Sequence, residues 1–267
     1  MLINAGEIIN KSWGYYAKNF KKLVPMMCLL FIPNFVLGLV GIFSLYMDQY
    51  AATGVYMLIN NLVVLAVFVG SLVFTLWASM ALAKNLGLIV HEKPLAALKE
   101  AFSDTSHLIW PAIYTAVLVC LAVLGGTLLL IIPGIIFSIW FCFSYLAVIF
   151  DEKRGVAALT ESKKMVSGRW WKILWRMLAP GIFYGVLFVI IYNLLNYTLG
   201  SIFQIEPNII YTSEDSNYIA YQITGGFFYG ILSSLLSPLT ALTSILLYFS
   251  AKENPVQVNP VIEADKK

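Results

Sequence analysis

Two histidines, His91 and His107, are the only imidazoles in the chain, and they stand in one connector, with Glu92 and Lys93 directly after the first. Metal-assisted phosphodiester hydrolysis needs carboxylates and histidines that converge on one point. His91-Glu92-Lys93 instead reads as a solvated turn. HExxH is missing, no Ser shares membrane depth with a His or Lys, and GxxxxGK[ST] does not occur. Intramembrane proteolysis and nucleotide hydrolysis are therefore unsupported. The cysteines Cys28, Cys120 and Cys142 fall in apolar runs without CxxC or His-rich spacing, which predicts buried free thiols rather than a zinc site or a disulfide framework. The chemistry left is electrostatic: Lys11, Lys18, Lys21, Lys22, Lys163, Lys164, Arg169 and Lys172 can hold anionic lipid headgroups, at about 1 kcal/mol per cation near the surface. The expectation is a chain that is no enzyme and takes no cofactor or metal.

The elements that position those cations are long uncharged runs. No Asp, Glu, Lys or Arg occurs from Gln49 to Ala83, Thr105 to Phe150, Met177 to Ile205 or Ser216 to Ala251. With 60% apolar residues, 12% charged residues and a mean hydropathy of +0.82, the chain is far from soluble composition. A bilayer core takes roughly 20 apolar residues per helix. Six crossings are expected, at Leu23 to Met47, Val55 to Ala83, Leu108 to Ile131, Gly134 to Phe150, Ile173 to Leu199 and Tyr218 to Ser250. All 17 Lys and Arg then lie on one side. The other side holds Asp48, Glu206, Glu214 and Asp215, with an uncharged turn near Ile132 and Pro133. By the positive-inside rule both termini are cytoplasmic in a bacterial-type inner membrane. The basic residues are spread over short loops rather than one folded face, so the net charge of +3 gives no nucleic-acid signal. The first apolar run is too long, and starts too late, for a cleavable signal, which predicts that the N-terminal segment is retained.

The basic connectors carry helical periodicity. Leu2, Ala5, Ile9, Trp13, Tyr16 and Phe20 oppose Asn4, Glu7, Lys11, Lys18 and Lys22, the pattern of a helix lying flat at the headgroups. Leu95, Leu98 and Phe102 repeat the idea, and Val156, Leu159, Val166 and Trp170 keep the apolar spacing, with Lys163 in the place held by Trp13 and Phe102. Aligning Ile9, Leu98 and Leu159, and with them Ser12, Ala101 and Ser162, gives three units of interfacial helix plus hairpin, over 1–83, 93–150 and 153–251 of a single integral domain, 1–251. Arg176, one turn beyond Lys172, is expected to snorkel to the interface. The tail 252–267 reads as disordered. Gly181 and Gly185, and Gly226 and Gly230, have GxxxG spacing, which predicts packing within the last hairpin, with a homodimer face as the alternative. Asn34, Asn60, Asn61, Asn193 and Asn196 lie at depth, either as interhelical hydrogen-bonding groups or as the lining of a path for a lipid or small neutral solute.

Pro133-Gly134, Asp151-Glu152, Gly155, Ala158-Leu159, Ser162 and Gly168-Arg169-Trp170-Trp171 resemble the signature of the membrane domain attached to some bacterial glycerophosphodiester phosphodiesterases and found alone in many integral membrane proteins. Ile8-Ile9-Asn10-Lys11-Ser12-Trp13 before Asn19-Phe20 is similar to the opening of that family. The resemblance implies fold and location. In the full-length enzymes a separate soluble barrel performs hydrolysis, and nothing in this chain encodes it. The expectation is an all-α polytopic protein with amphipathic helices on the cytoplasmic side and a non-catalytic part in membrane organisation, lipid contact or partner assembly. The alternative is a passive transporter or channel.

Overall fold

The computed structural model describes residues 2–48 (side chains to 44), 54–205 and 216–255. The outer acids Glu206, Glu214 and Asp215, the side chain of Asp48, and the tail from 256 lie outside the described residues. The chain is an all-α polytopic membrane protein, with six apolar stretches long enough to cross a bilayer. Its helices are α1 (Ala5–Asp48), α2 (Gly54–Val90), α3 (Leu98–Ser106), α4 (Ile109–Leu129), α5 (Ile131–Trp140), α6 (Ser144–Asp151), α7 (Val156–Val166), α8 (Trp170–Ile202) and α9 (Ser216–Glu253). The ends of these helices that carry Lys and Arg are called the basic end, and the opposite ends the far end.

The first amphipathic stretch and the first crossing are one helix. Asn4 Oδ1 accepts the Glu7 N–H at 2.8 Å and caps the start of α1. No breaker follows until Pro25, and both Pro25 and Pro33 are carried inside the helix. At 44 residues α1 is ~66 Å long, about twice a hydrocarbon core. It is not a separate flat segment, because it follows α9 antiparallel. The Ile3 N–H donates to Ser250 Oγ at 2.9 Å, Tyr16 Oη donates to the Leu235 carbonyl at 2.9 Å, and Phe31 meets Phe227 edge-on at 5.3 Å. Its apolar face divides in two: Ile8, Ser12, Tyr16 and Leu23 turn into the bundle, while Trp13 and Phe20 face outward.

The expected third-to-fourth turn falls earlier than Ile132. Leu130 is the single extended residue between α4 and α5, and Pro133 sits inside the first turn of α5, where its missing N–H has no intrahelical partner to lose. The fourth crossing is not one helix either. It breaks at Phe141–Phe143, because the Phe143 N–H donates to Ser162 Oγ of α7 at 3.0 Å, and that hydroxyl donates to the Trp140 carbonyl at 2.6 Å.

The amphipathic helices α3 and α7 rest on the second crossing of the preceding hairpin, and the start of α1 rests on that of the last one. In α3 the Phe102 carbonyl accepts from Trp77 of α2 at 3.1 Å, α7 clamps the α5–α6 break, and the first part of α1 closes onto α9. The aligned residues Ser12, Ala101 and Ser162 are all buried. The hairpins themselves pack unequally: α1 lies broadly on α9 and α2, whereas α4 and α5 touch the neighbouring hairpins only lightly. Two of the three thiols sit on the surface of the bundle rather than in its core: Cys28 and Cys120 are exposed and Cys142 is half-buried, all three free.

Candidate functional site

The eight cations expected to meet headgroups divide by what they touch. Lys11, Lys18, Lys21 and Lys22 are exposed on α1, and Lys11 Nζ pairs with Glu7 at 2.8 Å. Such a pair at the surface contributes at most about 1 kcal/mol and leaves the charge available. Lys163 and Lys164 are exposed in the last turn of α7, with Lys163 4.5 Å above the Trp140 ring, and Lys172 is exposed on α8. Seven lysines thus form two exposed groups, one on α1 and one where α7 meets α8.

The arginines differ. Arg169 is half-buried and donates from Nε to the Met165 carbonyl at 2.7 Å, from one terminal nitrogen to the Ala251 carbonyl at 2.7 Å, and from the other to the Asn254 carbonyl. It satisfies carbonyls at the end of α9 that the helix itself leaves open. Burial, then the nearby Arg176 charge, holds its guanidinium below the ordinary value. Arg176 donates to the carbonyls of Ile3 and Lys172, tying the N-terminal segment to α8. Both side chains are committed to backbone carbonyls at the basic end.

Between these elements lies a cavity of about 590 Å³ at the basic end, where Asn4, Glu7, Lys11, Arg176, Ser250 and Glu253 bring both signs of charge together. A second charged contact sits close by: Asp151 at the end of α6 accepts from Tyr248 Oη at 2.7 Å and from Lys252 of α9. Lys252, expected in a disordered tail, is therefore in the last turn of α9. The described residues hold no group of three or more His, Cys, Asp and Glu placed to bind a metal. The His91 ring lies against Phe249 at a centroid distance of 4.5 Å, tilted by 58°, and His107 lies 3.9 Å from Glu152.

The dense motif between Pro133 and Trp171 proves to be a set of packing devices. A Cβ on Gly134 would come within 3.0 Å of the Thr127 backbone, so glycine lets α5 close onto α4. Asp151 takes the Tyr248 and Lys252 contacts, and Glu152 ends α6 in the left-handed region at φ 52°. Gly155, at φ 50°, donates its N–H to Thr115 of α4 at 2.9 Å, with the Tyr114 ring against its Cα. Ser162 bridges the helix break, and Gly168 at φ 80° turns the chain so that Arg169 reaches α9. Asn85 escaped the sequence reading. Fully buried, it accepts from the Ala96 N–H at 2.9 Å and fixes the α2–α3 connector. Nothing in its neighbourhood marks it, because its partner is eleven residues away in a loop.

The glycine pairs depart from packing within the last hairpin. Gly230 faces Phe31 and Asn34 of α1 rather than α8, and a Cβ on Gly181, Gly185 or Gly226 would meet nothing within 4 Å. Spacing alone does not say which side of a helix is turned inward. Of the deep asparagines, Asn34 and Asn193 donate to carbonyls in their own helices, and Asn60 reaches Ser44 of α1 at 2.7 Å. Asn196 accepts from Tyr221 at 3.4 Å and lines a far-end cavity of about 410 Å³ with Tyr192, Gln222 and Tyr229.

No family model, no curated protein and no solved structure matches this chain. The likeness to the phosphodiesterase-associated membrane domain rests on the residues quoted for it.

Proposed function

We propose that this chain is a non-catalytic multi-pass protein of a bacterial-type inner membrane, with both termini in the cytoplasm, that gathers anionic lipid at its basic end and so organises the bilayer or a partner beside it. The observation that carries this reading is the division among the cations. Arg169 and Arg176 are consumed in holding helix ends, while Lys11, Lys18, Lys21, Lys22, Lys163, Lys164 and Lys172 remain exposed beside outward-facing Trp13, Phe20, Trp170 and Trp171. Lysines next to interfacial aromatics are what an anionic headgroup layer attracts. The resemblance to the membrane domain supports the same location.

The test is lipid retention. Replacing the seven lysines by Gln and extracting the lipid that survives purification in mild detergent should show phosphatidylglycerol or cardiolipin falling at least about tenfold against phosphatidylethanolamine. An unchanged ratio sinks the reading. Raising the salt should act in the same direction on the unaltered protein, because exposed charges are screened beyond ~10 Å at 0.1 M. A second reading, passage of a small neutral solute, is favoured by one observation, the amide- and tyrosine-lined cavity around Asn196. Solute flux into proteoliposomes that is unaffected by Asn196→Leu would remove it.

A further inference from the structure

One buried hydroxyl stands apart from the rest. Among the described residues, Ser144 Oγ is the buried side-chain oxygen without a hydrogen-bond partner, and Ser144 is 2% exposed. Buried polar groups are nearly always paired, because an unpaired one loses its hydration and gains nothing in return. The neighbouring hydroxyls obey that rule: Ser79 pairs with Tyr145, Thr115 with Pro111 and Gly155, and Ser162 with Trp140 and Phe143.

Ser144 begins α6 immediately after the break in the fourth crossing and lines a cavity of about 370 Å³ between that break and α4. The α4 wall is made by residues of one helical face, Ala112, Thr115, Ala116, Val119, Cys120 and Val123, mostly small or apolar. Ala116 and Cys120 are exposed, so the mouth opens on the outside of the bundle. That mouth lies inside a stretch with no charged residue, Thr105 to Phe150. Whatever enters comes from hydrocarbon. None of the residues that line the cavity is charged, so a charged headgroup would find no partner inside it.

We infer that this cavity is a binding site for a neutral lipid, an apolar chain carrying an uncharged oxygen such as an ester, hydroxyl or quinone carbonyl, and that Ser144 Oγ is the group that recognises that oxygen. The anionic-lipid reading uses the exposed lysines and none of the residues that line this cavity, so the two can fail independently. The break at Phe141–Phe143 is part of the device, since an uninterrupted fourth crossing would carry no such offset between α5 and α6.

The experiment uses the full chain in phosphatidylcholine vesicles with a diacylglycerol bearing a mid-chain diazirine, irradiated and mapped by peptide mass spectrometry. Labelling is expected in 112–123 and 141–145, and to be displaced by excess unlabelled diacylglycerol or by an isoprenoid quinone. Whichever displaces it identifies the source of the oxygen. Ala116→Phe, a change at an exposed position that fills the mouth, should abolish labelling, and Ser144→Ala should lower it about fivefold, the contribution of one neutral hydrogen bond. Labelling spread evenly over outward-facing residues such as Leu58, Leu62 and Leu65, displacement by extra phosphatidylcholine, or wild-type labelling in both variants would each overturn the site.

Discussion

At the basic end Leu86, Phe143, Leu242 and Tyr248 have essentially no exposed surface, and hydroxyl, amide and guanidinium groups tie one helix to the next. At the far end no residue of α2 from Gly54 to Gly70 is buried, and Leu128 at the α4–α5 tip is 88% exposed. There Asn60 reaches Ser44 and Tyr221 donates to Asn196 from one helix to another. Hydrocarbon is as apolar as leucine, so burying a leucine against another helix instead of lipid brings little. Helices in a bilayer are joined by polar groups and close packing, and this chain places most of both at one end. The far halves are solvated by lipid and hold position because the basic ends do.

That contrast can be broken by paired substitutions. The largest effect is expected for Ser162→Ala, which strands the Phe143 N–H and the Trp140 carbonyl inside the α5–α6 break. The loss should be roughly 3 kcal/mol, lowering the melting midpoint in mild detergent by roughly 10 °C. Thr198→Ala, which removes a hydroxyl bonded only within far-end α8, should stay within about 0.5 kcal/mol. Equal shifts for the two would refute the asymmetry. Next in size, Leu242→Ala, at a position with no exposure, should cost about 2 kcal/mol through lost packing, against under about 0.5 for half-exposed Leu62→Ala. The smallest test sharpens the comparison by sign. A Cβ at Gly87 would stand 2.4 Å from the Phe150 ring, so Gly87→Ala should destabilise by about 1 kcal/mol. Gly185→Ala meets nothing and should stabilise by up to about 1 kcal/mol from helix propensity. Thermal melts ordered the other way would show that Gly185 is held against something.

Most of the scaffold was legible because charge is expensive in hydrocarbon: each Lys and each Asp marks a boundary, and five uncharged stretches, of which Thr105 to Phe150 is long enough for two crossings, give six crossings. What stayed hidden came from contacts distant in sequence. Trp140 to Ser144 contains neither Pro nor Gly, and the break there is made by Ser162, on another helix. Lys21-Lys22 reads as the end of an interfacial segment, but lysine propagates a helix well, and α1 simply continues. Of the candidate site, the lysines of α1 were readable as exposed, since Lys11, Lys18 and Lys22 fall on the polar stripe opposite the apolar one. Arg169 was not, because its role depends on where α9 ends. The quoted motif was recognised as a pattern, and its meaning as a set of turns and clamps emerged only when Gly155 met Tyr114 and Arg169 met Ala251.

One helix carries both the lysine stripe and a membrane crossing, so the two cannot be repositioned separately except where the rod can bend. Pro25 and Pro33 are the places where α1 lacks a backbone donor. Phe31, between the two prolines, rests on Gly230 of α9, so the lysine-bearing part and the crossing are both laid against the same helix.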